Sequence, residues 1–344
     1  MLLQNTERGL FCSAGDFYID PWKPVDFAVV THAHSDHARW GSKHYLVSKI
    51  GEEIFRARLG PQANLQTLSF SESIARNGVK LSLHPAGHIL GSAQIRVEFQ
   101  GEVWVVSGDY KIESDNTCDA FEPIRCHTFV TESTFGLPIY KWSPQKEIFA
   151  EINEWWRDNQ QKERTSVLFG YSLGKTQRLL AGLEGDIGPI FLHGAVANFI
   201  PAYQRAGVRF PAISVTKPEN VRATRGKAMV IAPPSADNTP WLRKFGECST
   251  AFASGWMQVR GTRRRRALDR GFALSDHVDW PGLMDTIKAT GAEKIWATHG
   301  YTAPVVRWLR ENGWDADAIK TEYEGESETE GEDLPETTEQ NRED

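Results

Sequence analysis

The residues best suited to chemistry lie in Thr31-His32-Ala33-His34-Ser35-Asp36-His37, where three imidazoles and a carboxylate fall within six positions. Imidazole and carboxylate suit zinc, and also iron or manganese. A tight loop can aim His32 and His34 at one ion while Asp36 and His37 point past it toward a second. The plain alternative is a surface loop rich in histidine by chance. The chain holds only ten histidines in 344 residues, which weighs against chance at this spacing. Further donors follow in chain order: His88 in Gly87-His88-Ile89, Asp109 in Ser107-Gly108-Asp109, and Glu132 in Thr131-Glu132-Ser133. Asp276-His277 and His299-Gly300 complete the set.

These residues must be positioned by regular elements. Phe27-Ala28-Val29-Val30 is a short apolar run that reads as a buried strand, and the histidines begin where it ends. Val103–Val106 and Thr128–Val130 are similar runs that end just before Asp109 and Glu132, and Ile295-Trp296-Ala297 ends just before His299. Val79 to Phe99 alternates as half-buried strands do, with His88 in the glycine-rich turn between them and His84 inside a strand. Phe17-Tyr18-Ile19 is a strand running into Asp20-Pro21, which places an acid just upstream of the histidine loop. Ala38 to Lys43 reads as a short helix, Tyr45-Leu46-Val47 as a strand, and Ile50 to Leu59 as a helix ended by Gly60-Pro61. His44, His127 and His193 have no ligand context and read as structural.

Past Glu132, Ser143-Pro144 supplies an N-cap and a first helical residue, and Ile148, Ile152, Trp155 and Trp156 follow at helical spacing. Val167-Leu168-Phe169 then runs as a strand into Gly170-Tyr171-Ser172-Leu173-Gly174-Lys175, which opens a helix. Glycine and lysine at a helix start suit a phosphate, so Ser172, Gly174 and Lys175 are candidates for one, although an ordinary N-cap uses the same residue types. Residues 260–266 contain five arginines, which read either as a solvated face or as the path of a nucleic-acid strand.

The net charge of -6 is uneven. Residues 322–344 hold eleven acids and one base, so residues 1–321 carry +4. A mildly basic body is compatible with a polyanionic partner. The acidic tail is nearly free of apolar residues and is expected to be disordered. No run of eighteen apolar residues exists to span a membrane. The first residues lack the charged and apolar regions of a signal peptide. Four scattered cysteines suggest reduced thiols, and with them a cytoplasmic location.

The H-x-H-x-D-H run, with His88, Asp109 and His299 behind it, resembles the signature of the metallo-β-lactamase fold superfamily. The Glu132-Ser133-Thr134-Phe135-Gly136 run resembles its β-CASP nuclease branch, as do Ser172-Leu173-Gly174-Lys175-Thr176-Gln177, Ala253-Ser254-Gly255-Trp256 and Ser275-Asp276-His277-Val278-Asp279. The Phe17–Pro21 and Thr131–Tyr140 stretches look most like the bacterial ligase-associated DNA damage response exonucleases. That group is related to DNA-crosslink-repair nucleases and to messenger RNA 3′-end processing factors. The resemblance spans about residues 10 to 310.

It implies an α/β fold, the αββα four-layer sandwich, with a β-CASP cap inserted. The core would comprise residues 1–140 and 257–320, the cap 141–256, and the tail 321–344. It implies two zinc ions, with manganese or iron as alternatives. His32, His34 and His88 would hold the first ion and Asp36, His37 and His299 the second, with Asp109 bridging. Asp20 would support the loop by hydrogen bonding. Two such ions about 3.5–4 Å apart clamp a phosphodiester, and the hydroxide they activate hydrolyses it. Asp36 would accept the water's proton. His277 would be the general acid, oriented by Glu132. Ser172, Gly174, Lys175, Ser254 and Gly255 would line the substrate cleft. The implied substrate is DNA, single-stranded or end-resected, degraded from a 5′-phosphate, with a DNA ligase and a helicase as partners. RNA stays open as a substrate, because His299 stands where RNA-acting members often have His and eukaryotic DNA-acting members often have Val. Outside the branch, the rival readings are a small-molecule metallo-hydrolase and a metal-free binding module.

Overall fold

Three sheets carry the chain in the computed structural model, which describes residues 1–214, 216–259 and 268–321. The arginine-rich 260–266 stretch and the acidic 322–344 tail lie outside the described residues. The first sheet runs in chain order through Gln4–Thr6, Gly9–Cys12, Phe17–Ile19, Phe27–Val29, His44–Ser48 and Leu65–Leu68. Its first two pairings are antiparallel and the rest parallel. The second sheet has the order Asp315–Ala318, Lys294–Gly300, Thr128–Ser133, Glu102–Val106, Ala93–Phe99, Val79–Pro85 and Ser73–Arg76. Its first four strands are parallel, so their C-terminal ends share one edge.

Side-chain alternation explains how these two sheets pack, because successive residues of a strand point to opposite faces. Trp104, Val106, Val130 and Trp296 join Phe17, Ile19, Val29 and Leu46 in one core between the first and second sheets. Val105, Phe129, Ile295 and Ala297 face the other way, onto helices Trp280–Thr290 and Thr302–Glu311 through Leu283, Ile287, Val305 and Leu309. The outer face of the first sheet offers Ala28, Tyr45 and Val47 to Ile54 and Phe55 of helix Glu52–Leu59.

The third sheet is wholly parallel, in the order Ile190–Leu192, Met229–Ala232, Thr165–Phe169, Cys248–Ala253 and Arg270–Phe272. Both its faces are covered, which is why Thr165–Phe169 and Met229–Ala232 are buried at every position. Helix Gln145–Gln161 covers one face with Ile148, Ile152, Trp155 and Trp156.

Three details depart from the sequence reading. Arg270–Phe272 pairs with Ala251–Ala253, so the third sheet holds the chain well past residue 256, the boundary expected for the cap. Ala38 to Lys43 forms bends and turns instead of a helix. Gly41 there has φ +100°, and the Tyr45 hydroxyl donates to Arg39 O (2.8 Å) and accepts from Ser42 N (2.8 Å). At the first helix of the third-sheet unit, Pro144 takes the N-cap position in place of Ser143. The Gln145 N–H donates to Glu113 Oε1 instead (2.9 Å).

Trp156 is fully buried and donates from Nε1 to Lys227 O (3.0 Å). Trp156→Ala should therefore cost about 3–5 kcal/mol, as large-to-small core changes do. The denaturant midpoint measures this, and an unchanged midpoint would remove Trp156 from the core.

Candidate metal centre and its acid

The expected ligands come from strand ends. The loop after Phe27–Val29 carries His32, His34, Asp36 and His37, and the loop after Glu102–Val106 carries Asp109. Glu132 and His299 lie near the ends of the adjacent parallel strands, where Glu132 pairs with Thr298. His88 comes from the turn between Val79–Pro85 and Ala93–Phe99. Two glycines permit the close approach of these loops. A Cβ on Gly108, at φ +57°, would lie 2.6 Å from Thr31 Cβ, and one on Gly87, at φ +74°, would lie 2.2 Å from Lys111 O.

His32, His34, His88 and Asp109 converge as one donor group. His34 Nδ1 lies 3.1 Å from both His32 Nε2 and His88 Nε2. Asp109 Oδ2 is 3.4 Å from His32 Nε2 and 3.8 Å from His88 Nε2. Backbone carbonyls decide the tautomers. His34 Nε2 faces Leu173 O (3.2 Å) and His88 Nδ1 faces Asp276 O (2.9 Å). A carbonyl only accepts, so those nitrogens carry the protons. In the neutral rings, His34 Nδ1 and His88 Nε2 then confront each other as lone pairs. Two acceptors at this distance repel unless a cation lies between them. The spacing is close to the edge of about 3.3 Å expected for nitrogens around a tetrahedral zinc.

His37, His299 and Asp109 form a second converging group. Asp20 orients the His37 ring and its loop. Its Oδ2 accepts from His37 Nδ1 (2.8 Å) and Thr31 Oγ1 (2.6 Å), and its Oδ1 accepts from Thr31 N (2.8 Å). His37 Nε2 and His299 Nδ1 are buried without a hydrogen-bond partner among the described residues. His37 Nε2 lies 3.6 Å from Asp109 Oδ2 and 3.5 Å from Asp36 Oδ2. Asp36 thus adjoins this group through His37. Asp109 Oδ2 reaches nitrogens of both sets, the position expected of a bridging carboxylate.

Protonation tendencies suit a cation. Burial pushes the imidazoles of His34 and His299 down to about 4, and those of His32 and His88 well below their ordinary value. Neutral imidazole is the form that ligates metal. Burial also pushes Asp109 up to about 8. His37 is different: burial lowers it, but Asp36, Asp109 and Asp20 prevail and hold it at about 10. These acids therefore call for positive charge beside His37, and a divalent ion would supply it in place of the proton. The donor set fits two such ions.

Beside the ligands, His277 Nδ1 lies 2.8 Å from Glu132 Oε2, and Glu132 Oε1 accepts from Tyr110 N (2.7 Å). Both side chains are buried, and the His277 ring lies 4.8 Å from that of His88.

The residues expected to line a cleft sit differently. Lys175 is fully buried; its ammonium pairs with Asp276 and donates to Leu274 O (3.1 Å). The Gly174 N–H is taken by Gln177 Oε1 (2.7 Å), and Ser172 is buried. In this strand-to-helix loop the Lys175 charge is therefore neutralised inside the protein. Ser254 is buried and accepts from Trp256 N (3.3 Å). Gly255 packs on Phe135, whose ring contacts that of His277. Sequence reasoning missed Lys111, Asp115 and Arg178, and weighed Asp276 only as part of a motif. Lys175 and Arg178, three apart on one helix, were the available signal. The other histidines are structural: His44 bonds Asn64 (2.6 Å), His84 bonds Ser82 (3.0 Å), His127 accepts from Val103 N (3.0 Å), and His193 caps a short helix.

None of the protein-family models compared with the chain matches it. A probable DNA ligase of Opitutus terrae is 31% identical over 317 residues, covering 91% of this chain and 30% of that protein. Endoribonuclease YSH1 of Eremothecium gossypii is 26% identical over 167 residues, covering 47% of this chain and 20% of that protein. Cleavage and polyadenylation specificity factor 73 of Drosophila melanogaster is 28% identical, covering 45% of this chain and 23% of that protein. The chain thus spans less than a third of each of these relatives. A crystal structure of a protein of unknown function from Enterococcus faecalis V583 superposes with a TM-score of 0.58 at 12% identity, covering 87% of this chain and 80% of that one, a likeness of fold. The chain is related to the β-CASP nucleases of the metallo-β-lactamase fold.

Asp20→Asn tests the second donor group. An amide nitrogen opposite His37 Nδ1 would favour the other tautomer and aim an N–H at the ion. Affinity for one zinc ion should fall about 10–100-fold, the usual cost of losing a ligand's orienting partner. Competition against a chromophoric chelator reads this, and wild-type affinity would deny Asp20 the role.

Proposed function

We propose that the chain is a zinc-dependent nuclease that hydrolyses phosphodiester bonds at DNA ends, acting in DNA repair. In this reading the first two sheets and their helices are the metallo-β-lactamase sandwich, and the third sheet with its helices is the β-CASP cap. The cap then extends to Phe272 rather than ending at residue 256. His32, His34 and His88 would hold one ion, and His37, His299 and Asp36 the other, with Asp109 within reach of both sets. When bound, the ions supply Lewis-acid charge to the phosphodiester and lower the pKa of water at the site.

The chain's own residues do the rest. Asp36, which burial opposes but His37, His299 and His34 hold down at about 2, is ionised and can accept a proton from the attacking water. His277 protonates the leaving oxygen. Glu132 accepts the His277 Nδ1–H and fixes the ring, which leaves Nε2 as the nitrogen that passes on the proton. The observation that carries the reading is this Glu132–His277 pair, buried beside Asp109 and the two histidine groups. A small-molecule hydrolase has no need of it, and a metal-free binding module has no need of converging lone pairs.

DNA as substrate, and a DNA ligase as partner, are supported by the match to a probable DNA ligase over nearly the whole chain. A ribonuclease is the second reading, favoured by His299 in the second donor group and by the relatives with endoribonuclease names. Initial rates on end-labelled DNA and RNA of matched sequence, with 5′-phosphate or 5′-hydroxyl ends, separate the two. Faster release from DNA, beginning at the 5′ end, is expected. Faster RNA cleavage would replace this reading with the second.

His277→Ala should slow cleavage of ordinary phosphodiesters about 10²–10⁴-fold, the reach of general acid catalysis. A nitrophenyl phosphodiester, whose leaving group needs no proton, should lose far less. Equal losses on both substrates would make His277 a scaffold.

A further inference from the structure

The third-sheet unit and the segment that leaves it reach the metal ligands through two carbonyl groups. Leu173 O accepts from His34 Nε2 (3.2 Å), and Leu173 lies two residues before Lys175. Asp276 O accepts from His88 Nδ1 (2.9 Å), and the Asp276 side chain is the partner of Lys175. The same lysine donates to Leu274 O (3.1 Å), so it grips the 274–276 segment at two points.

Arg178 makes a second grip. Its Nη1 donates to Ser275 O (3.3 Å), and its Nη2 donates to His88 O (3.0 Å) and Gly87 O (3.3 Å). One guanidinium thus ties the backbone of His88 to the segment whose carbonyl orients the His88 ring. Asp115 pairs with Arg178. Lys111 Nζ donates to Ser275 O as well (2.9 Å). Lys175, Arg178, Asp276 and Lys111 are all nearly or fully buried, so water cannot replace a lost partner. The loop also comes very close to the His88 turn: a Cβ on Gly174 would lie 2.1 Å from Ile89 Cγ2.

We propose that Lys175 and Arg178 are positioning residues that set the tautomers of His34 and His88, so that the ion of the first donor group binds tightly only while the third-sheet unit is docked. The inference rests on the metal-centre reading given above. Its physical core is simple. Without the Leu173 and Asp276 carbonyls, each ring is free to carry its proton on the nitrogen that faces the ion. The second donor group is oriented separately, through Asp20 and His37.

The test uses the full chain. Lys175→Met leaves a buried carboxylate unpaired, so Lys175→Met/Asp276→Asn, which removes both charges, serves as the folded control. Zinc binding is measured by competition with a chromophoric chelator, resolving two ions per chain. Histidine tautomers are read in the zinc-free protein from long-range 1H–15N spectra. Both variants should bind one ion about 10–100-fold more weakly and keep wild-type affinity for the other. In the wild type His88 should carry its proton on Nδ1, and in the variants it should populate both tautomers. Wild-type affinity for both ions, or equal weakening of both in the folded double variant, would overturn the proposal. A wild-type chain that binds no zinc would instead overturn the metal centre itself.

Discussion

The site depends on one confrontation, the lone pair of His34 Nδ1 against that of His88 Nε2 at 3.1 Å. Each ring is committed to this arrangement by a carbonyl on its far side, and burial keeps both rings neutral. In water such a pair would turn away. Here the rings are packed, and a cation is what makes the arrangement favourable. The same logic applies around His37, where Asp36, Asp109 and Asp20 favour positive charge on one buried imidazole.

The architecture serves this constraint. Parallel strands deliver Asp109, Glu132 and His299 to a common edge of the second sheet, and the first sheet delivers the histidine loop opposite them. Gly108 lets the Asp109 loop touch Thr31, the residue through which Asp20 also holds the histidine loop. The third-sheet unit, with the segment that leaves it, closes the remaining side with backbone carbonyls. It therefore completes the orientation of the ligands in addition to covering the site.

The donors were legible in the sequence because each follows a short apolar strand, often with a glycine at the turn. His32, His88, Asp109 and His299 all announce themselves in this way, and so does the pairing of Glu132 with His277 through the family resemblance. What was not legible depends on distant partners. Lys175 looks like a phosphate ligand at a helix start, and only the fold reveals that Asp276, 101 residues on, neutralises it. Arg270–Phe272 carries no strand pattern of its own; its pairing with Ala251–Ala253 makes it one. Ala38 to Lys43 has helical residues, yet Gly41 and the Tyr45 hydroxyl hold it in turns.

In the proposed function, two histidine groups share one carboxylate around two cations. Crystals of the chain purified with zinc, measured by anomalous scattering at the zinc edge, test it most directly. Two peaks per chain are expected, one among His32, His34 and His88, the other beside His37 and His299, both in contact with Asp109. A single peak, or peaks that leave Asp109 untouched, would contradict it.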